Sequence, residues 1–347
     1  METLNADLLE YLLQYLDECD TVSIGSVNHQ LRAIVKAAPV AVLMLGNISF
    51  QTDMFRAAAA CWPAARTLCL KGIAERHESA STVIPHGYLA NVRHLVVDSV
   101  HDSVIASVFR VITAVPNPAL KHLYVRYCPP FGNRYLSQCA KFTNLTSLML
   151  IACPVNDGGI SYICDGCKRL IVLELTSCDA LTPNCLGILR RMPQLHELSL
   201  ASLFSGGPDI GAEIGLFDRL YVFCGVLLRL GGGFLPGHLC HMRSLQILKL
   251  YQCELCPPGR IGFSSTWRQL SRSNEPLSLR FVKLYHADQE FQINAHHLFT
   301  LQSMQKLTLS YPSTFHDVVY VRMPGQGVLI RGADWPRWVC SPKIPTA

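Results

Sequence analysis

A spaced pattern of leucines recurs along this chain at an interval of 25 residues. Its best copy reads Leu-x-x-Leu-x-Leu-x-x-Cys from Leu145 to Cys153, and the next two copies begin at Leu170 and Leu195. Because residues two apart in an extended chain point to the same side, each Leu-x-Leu predicts a short strand with one buried face. One such unit cannot cover its own apolar face, so the pattern indicates a stacked array of repeats.

The pattern extends over most of the 347 residues. The first apolar residue of each copy can be taken as its anchor, and eleven anchors follow: Val40, Ala65, Val92, Leu120, Leu145, Leu170, Leu195, Leu220, Leu245, Leu279 and Met304. We predict an α/β solenoid over residues 39–312, degenerate around 204–236 and with a loop insertion around 256–276. Residues 313–347, with their prolines and tryptophans, are predicted to form a C-terminal cap.

The first 38 residues carry a different, helical pattern. Five leucines share one face of a predicted helix: Leu8, Leu9, Leu12, Leu13 and Leu16. Asn5 can cap the start of this helix, and Asp20 can cap a second helix that ends before Pro39. A separate helical module therefore precedes the repeats. The alternative is that this segment only covers the open end of the first repeat.

Composition narrows the class of protein. Half of the residues are hydrophobic and only 16% are charged, which excludes disorder as the main state. The acidic N-terminus does not resemble a signal peptide, and the longest apolar stretch, 220–228, is shorter than the about 20 residues that span a bilayer. We expect a cytoplasmic or nuclear protein with no membrane association and with free thiols among its fifteen cysteines.

The sequence lacks three common catalytic and phosphate-binding motifs. No phosphate loop, G-x-S-x-G or H-E-x-x-H occurs, so we expect a protein that is not an enzyme and has no cofactor. The net charge of +5 is weak support for nucleic-acid binding, which we consider unlikely. Two Cys-x-x-Cys pairs, at Cys164 and Cys253, have zinc-ligand spacing but lack histidine partners at proper spacing, and we expect no metal.

The repeats resemble the cysteine-containing class of leucine-rich repeat, with a Cys after the strand, then a helix, then Gly-Cys-Lys-Arg-Leu leading into the next strand at Leu170. The N-terminal module resembles an F-box: Leu4 matches its opening leucine, the leucine stripe its first helix, and Val27 a valine near its end. This order is similar to that of the F-box/leucine-rich-repeat family.

The resemblance implies the substrate-recognition subunit of an SCF-type cullin–RING ubiquitin ligase, a receptor without catalytic residues. Its partners would be a Skp-type adaptor, a cullin and a protein substrate. The residues implied to bind the adaptor are Leu4, Leu8, Leu9, Leu12, Leu13, Leu16 and Val27. The alternative is a protein-interaction scaffold that uses the same repeats without any ligase.

Cysteines recur at the turn after the strand in four of the copies: Cys128, Cys153, Cys178 and Cys253. We expect these four side chains to be buried, reduced and free of metal, since a buried free cysteine behaves as a small hydrophobic residue.

The residues between and after the paired leucines should face outward on the concave surface. Tyrosine, lysine and arginine are grouped there, and we predict a substrate-binding surface from Tyr124, Arg126, Tyr127, Lys249, Tyr251, Arg280, Lys283, Tyr285 and His286. The last six are predicted to form one basic, aromatic strip for an acidic or phosphorylated segment. The alternative is that the strip is only solvated and partners bind the outer helices.

Overall fold

A computed structural model gives the fold. It describes residues 42–46, 66–73, 88–115, 118–204, 207–231, 234, 238–254, 279–285, 305–310, 317–323 and 327–331. The F-box-like segment, the predicted loop insertion around 256–276 and His286 lie outside these residues. The described residues fall into two compact units that divide at residue 170, with residues 178–180 belonging to the first unit.

The first unit is built from five short strands and the helices that follow them. The strands are β1 (Val42–Gly46), β2 (Thr67–Lys71), β3 (His94–Asp98), β4 (His122–Arg126) and β5 (Ser147–Ile151). The helices are α1 (Asp102–Ala114), α2 (Asn133–Cys139) and α3 (Asp157–Gly166), with a 3-10 turn at Tyr88–Asn91. All the strands pair in parallel in chain order.

The second unit continues the alternation of strands and helices. Its strands are β6 (Val172–Thr176), β7 (Glu197–Ala201), β8 (Val222–Val226), β9 (Ile247–Tyr251), β10 (Phe281–Tyr285), β11 (Lys306–Ser310), β12 (Asp317–Met323) and β13 (Gly327–Arg331). Its helices are α4 (Asn184–Leu189) and α5 (Gly211–Gly215), with a 3-10 turn at Leu239–His241. Strands β6 to β11 pair in parallel, whereas β12 pairs antiparallel with both β11 and β13.

The strands confirm the repeat pattern, because a strand begins two residues after each of the eleven anchors. Equivalent apolar residues are register partners. Leu95 pairs with Leu123 in the first unit, and Phe223 pairs with Leu248 in the second. The stretch predicted to be degenerate keeps its strand, β8, in register with both neighbours even though Gly225 occupies a leucine position.

The core consists of the leucine rows and the helix faces packed below them. Leu148 and Leu150 are completely inaccessible to solvent, as are their equivalents in most repeats. In the first unit, Phe109 makes edge contacts with Phe131 and Tyr135 at ring-centroid distances of 5.5 and 5.3 Å. Each fully buried aromatic side chain of this kind contributes about 2 kcal/mol or more through removal of apolar area from water.

A residue with left-handed backbone conformation directly follows each strand from β2 to β9. Eight residues directly after a strand have φ between 50° and 61°: Gly72, Ser99, Tyr127, Ala152, Ser177, Ser202, Leu227 and Gln252. The N–H of Tyr127 donates to the carbonyl oxygen of Ile151 at 2.9 Å, and that of Leu227 donates to Tyr251 in the same way. The backbone bond to the next strand's last residue offsets the roughly 1–2 kcal/mol cost of this conformation in a residue with a Cβ.

Helices α2 and α3 approach so closely that one position requires glycine. A Cβ built on Gly166 would lie 2.1 Å from the carbonyl oxygen of Ala140 and 2.4 Å from its Cα. Both are backbone atoms, which cannot turn aside as the end of a side chain can. Gly187 in α4 is different, because its nearest neighbour would be the end of the Arg190 side chain at 3.9 Å.

We predict that Gly166→Ala lowers the free energy of unfolding by roughly 1–3 kcal/mol, because the added methyl group forces the backbones of two repeats apart. Gly187→Ala is the matched control and should leave stability unchanged or raise it by up to about 1 kcal/mol. Urea denaturation followed by circular dichroism measures both. Equal midpoints for Gly166→Ala and the wild type would contradict the close approach.

Candidate functional site

The strands present one buried face and one open face. Side chains at the second and fourth positions of β4 to β9 are buried or replaced by Gly225, and those at the first, third and fifth positions are exposed or half-buried. Asp98 on β3 and Thr308 on β11 are buried exceptions on the open face. Because the parallel strands are in register, equivalent positions of neighbouring repeats form rows across this open face. We call them the first, third and fifth rows, after the strand position they contain.

An ion pair occupies the fifth row of the first unit. Arg126 on β4 donates to Asp98, its register partner on β3, at 2.6 Å. The side chain of Asp98 is only 7% exposed. The hydrogen bond from Arg126 is the largest of the causes that lower the pKa of this carboxyl. Arg126, a predicted substrate-binding cation, therefore has its charge balanced inside the repeat sheet, and the sequence reasoning missed Asp98.

The two predicted tyrosines of this unit occupy different positions along the chain of β4 and its turn. Tyr124 is half-buried in the third row, next to Met149 on β5. Tyr127 occupies the left-handed turn after β4, is 55% exposed, and its ring centroid lies 5.3 Å from the guanidinium carbon of Arg126. The three predicted residues Tyr124, Arg126 and Tyr127 thus stand together on and beside one strand.

A stacked histidine pair begins the same two strands. His94 and His122 are register partners in the first row, with ring centroids 4.3 Å apart and planes inclined by 1°. The pKa of His122 is lowered, first by burial and then by the like charges of His94 and Lys121. Aligning HLVVD with HLYVR, the two strand sequences, is the signal that could have revealed both this pair and the Asp98–Arg126 pair.

The second unit brings together the core of the predicted basic, aromatic strip. Lys249 is the register partner of Lys283 in the third row, and Tyr251 is the partner of Tyr285 in the fifth row, despite the 34 residues between them. Lys249 is exposed and Tyr251 is half-buried, while for Lys283 and Tyr285 the structure gives the position in the strand.

Arg280 lies elsewhere than the sequence predicts. Strand β10 begins at Phe281, so Arg280 stands before the strand rather than on its open face. Its backbone N–H donates to the carbonyl oxygen of Gln246 at 2.9 Å, which places it in a row along the amino-terminal edge of the sheet. Strand pairing starts at Phe281, one residue before the buried Val282. Arg280 therefore precedes the paired residues.

Apolar side chains in the first row were missed by the sequence reasoning. Val222, Ile247 and Phe281 are register partners on three consecutive strands. Phe281 is 41% exposed, and Tyr221 directly before β8 is 39% exposed. The sequence reasoning considered only the residues between and after the paired leucines, whereas these precede the first one. Their spacing from the anchors is the signal that could have found them.

Thiols form a ladder beneath the turns of the first unit. The Sγ atoms of Cys128, Cys153 and Cys178 lie 3.7 to 3.8 Å from the carbonyl oxygens of Val97, Val125 and Leu150, one repeat earlier. All three side chains are buried, as predicted. Burial raises the pKa of the Cys153 thiol to about 12, so it stays protonated and can act as a weak donor.

The prediction that Cys253 is buried is wrong, because the structure leaves it half-buried. Strand β8, one repeat earlier, carries Gly225 in place of a leucine. A Cβ built on Gly225 would lie 3.4 Å from the Cys253 Sγ. The Sγ atom of Cys253 lies 3.6 Å from the carbonyl oxygen of Tyr251 in the same repeat. Burial still raises the pKa of this thiol to about 11.

The described part of the chain contains no group of three or more His, Cys, Asp or Glu side chains arranged to hold a metal ion. Cys167 of the Cys164-x-x-Cys167 pair instead places its Sγ 3.3 Å from the carbonyl oxygen of Cys139. Among the same residues, none of the helices is both long and apolar enough to cross a bilayer.

Comparison with known proteins agrees with a repeat fold. No family model matches the chain. The mouse protein "NACHT, LRR and PYD domains-containing protein 5" is 30% identical over 186 residues, which cover 44% of this chain and 16% of that protein. This chain therefore matches only a small part of that relative. The 25-residue spacing of the leucine pattern, the parallel strands and their register show a leucine-rich-repeat fold.

Two solved structures were also found to be similar. An internalin, inlF, of Listeria monocytogenes superposes with a TM-score of 0.41 at 14% identity, covering 84% of this chain and 66% of its own. The internalin inlC2 of the same organism gives a TM-score of 0.38 at 14% identity, with 69% of this chain and 84% of its own covered.

We predict that His122 titrates below the ordinary histidine pKa of 6.5 in a proton NMR titration. The unfolded chain then takes up this proton at a higher pH than the folded chain. The contribution of His122 to the free energy of unfolding therefore falls as the pH drops through the unfolded value.

The His122→Gln variant should consequently lose less stability than the wild type between about pH 7.5 and about pH 5.5. His94→Gln removes one neighbouring charge and should raise the pKa of His122 while leaving the burial effect in place. A His122 that titrates at or above the ordinary value would contradict the observed stacking.

Proposed function

We propose that this protein is a non-catalytic binding protein that holds a protein partner on the open face of its repeat sheet. The single observation behind the proposal is the register of the strands, which joins Lys249 to Lys283 and Tyr251 to Tyr285 across neighbouring repeats. Rows of this kind give a partner several side chains at a regular spacing of about 4.8 Å. Tyrosine supplies rigid contact area and lysine attracts acidic groups.

We further propose that the N-terminal segment docks the protein onto a Skp-type adaptor, which makes it a substrate receptor of an SCF-type cullin–RING ubiquitin ligase. The support is the F-box resemblance from Leu4 to about Val35 and its place directly before the repeats. Such a receptor acts by effective concentration, because tethering holds the substrate near the transferring enzyme. It needs neither a catalytic residue nor a cofactor.

The repeats alone support a second function equally well. A ligase-independent scaffold would use the same open face, and the repeat fold that the mouse relative shares by name is common to both functions. The two proposals differ only in what residues 1–38 bind. Under either proposal the protein works in the cytoplasm or the nucleus, away from membranes, and nucleic acid is not its partner.

Replacing both Leu12 and Leu16 with Asp should abolish co-purification with adaptor and cullin. The substitution places two charges on the apolar stripe at a cost of several kcal/mol. The test is affinity capture from cells followed by mass spectrometry of adaptor and cullin. Gln14→Asp is the matched control, since residue 14 falls on the opposite side of the predicted helix.

Adaptor recovery by the wild type and the Gln14→Asp variant, lost in the double Asp variant, is the result expected of a ligase receptor. Equal adaptor recovery by the wild type and the double variant would show the F-box assignment to be wrong. A wild type that captures partners but neither adaptor nor cullin would identify the scaffold function instead.

Changing Lys249, Lys283 and Tyr285 together to Ala should weaken capture of the partner by roughly tenfold or more, because the rows lose their charge and their aromatic contact area. Adaptor binding should be unchanged, which makes it the internal control. Tyr162→Ala, on the exposed side of α3, is a matched truncation of an exposed tyrosine away from the open face. Unchanged capture by the triple variant would reject this part of the face as the binding surface.

A further inference from the structure

The amino-terminal end of the open face in the second unit carries a concentrated apolar surface. We define the apolar row as Val222, Ile247 and Phe281, which are first-row partners on β8, β9 and β10. Seven large hydrophobic side chains are exposed in the described part of the chain, and two of them, Tyr221 and Phe281, lie in or beside this row. Such a concentration indicates a surface that is covered in a complex.

Backbone bonds align the neighbours of the apolar row. The N–H of His196 donates to the carbonyl oxygen of Ile171, that of Tyr221 to His196, and that of Gln246 to Tyr221, at 2.7 to 3.0 Å. The residues that directly precede β6 to β9 therefore form an edge row alongside the first row. Tyr221 in the edge row directly precedes Val222 and extends the apolar surface by one further side chain.

Charge on the same face is separated along the direction that crosses the strands. Two glutamates stand on the first two strands of the unit, Glu174 on β6 and Glu197 on β7. Exposed cations stand toward the other end, with Lys249 on β9, Arg280 before β10 and Lys306 on β11. Burial raises the pKa of Glu174, which shows that this end of the face is already partly shielded from water. A partner would be oriented by this gradient of charge.

The spacing of the side chains within a row favours a helical partner over an extended one. Neighbouring strands lie about 4.8 Å apart, and side chains one helical turn apart lie about 5.4 Å apart along a helix axis. Same-side residues of an extended chain are about 6.6 Å apart, which does not match the strands. From β6 to β11 the face spans about 24 Å, the length of about 16 helical residues.

We propose that the apolar row is a docking site for an amphipathic helix that lies across the strands. Its apolar stripe packs on Val222, Ile247 and Phe281, its acidic end lies over β9 to β11, and its basic end lies over β6 and β7. This inference rests on the proposed function, which places the partner on the open face, and it adds the class and the orientation of the segment that binds.

Selection from a displayed library of 18-residue helical peptides against the full-length protein tests the proposal. The length corresponds to the about 16 residues that span the face, with one extra residue at each end. Winning peptides should carry apolar residues at helical spacing, with acidic residues in one half and basic residues in the other. Winners without the apolar spacing, or a selection that enriches none, would overturn the docking site.

Variants of the protein then locate the peptide. Val222→Ser with Ile247→Ser and Phe281→Ser should weaken a winning peptide by roughly tenfold or more in fluorescence anisotropy. The control is Val96→Ser with Met149→Ser, which truncates half-buried apolar side chains on the open face of the first unit. Thermal melting of both variants confirms that the fold survives. Equal affinity for the wild type and the apolar-row variant would overturn the proposal.

A charge reversal tests the orientation separately. Lys249→Glu with Lys306→Glu should weaken the winning peptide, and a peptide whose acidic half carries lysine instead should recover the affinity on that variant. A peptide that the reversal does not affect would overturn the stated orientation.

The failure of this inference differs from the failure of the proposed function. Peptides that lose affinity on the Val96 and Met149 control variant, and keep it on the apolar-row variant, would overturn the apolar row while leaving the open face as a binding surface. Equal capture of cellular partners by the wild type and the triple Ala variant at Lys249, Lys283 and Tyr285 would instead reject the proposed function, whatever the peptides do.

Discussion

The in-register pairing of parallel strands is the constraint on which the rest of this structure depends. Once Leu95 pairs with Leu123, all the remaining residues of β3 also have partners at the equivalent positions of β4. A slip of one residue would turn the leucines to the open face and the polar residues inward. The burial of the leucine rows therefore fixes which side chains meet on the opposite face. The surface of the protein is a consequence of its core.

This constraint turns short sequence coincidences into physical pairs. His94 and His122 stack, and Asp98 and Arg126 form an ion pair, only because each couple holds the same strand position in consecutive repeats. In the second unit the same rule aligns Val222, Ile247 and Phe281 into an apolar row. A change at one repeat position therefore alters contacts with both neighbouring repeats, which is how such a sheet can acquire a binding surface one row at a time.

The sequence predicted the strands well because their signal is local and repeated. Strand positions follow from the Leu-x-Leu pattern even at Val40 and Met304, where the anchor itself is a poor match. The pairing of Lys249 with Lys283 was also predictable, since both stand between the paired apolar residues. The apolar row was missed because its residues precede the paired apolar residues of each strand. The Asp98–Arg126 pair was missed because it becomes visible only when the last positions of β3 and β4 are compared with each other. The half-buried state of Cys253 was missed because the repeat pattern gives it the same place as the three buried cysteines.

Burial sets the protonation state of the cysteines in the described repeats. A nucleophilic cysteine needs a lowered pKa, which a neighbouring cation or a helix N-terminus supplies. Burial raises the pKa of Cys153 and Cys167 to about 12, and it also raises that of Cys224, in the third row of the open face, although Lys249 nearby acts in the opposite direction. These thiols serve as packing groups and weak donors. The parallel rows of the open face hold equivalent side chains of neighbouring repeats at a regular spacing. A partner that lies across the strands can therefore contact several repeats at once.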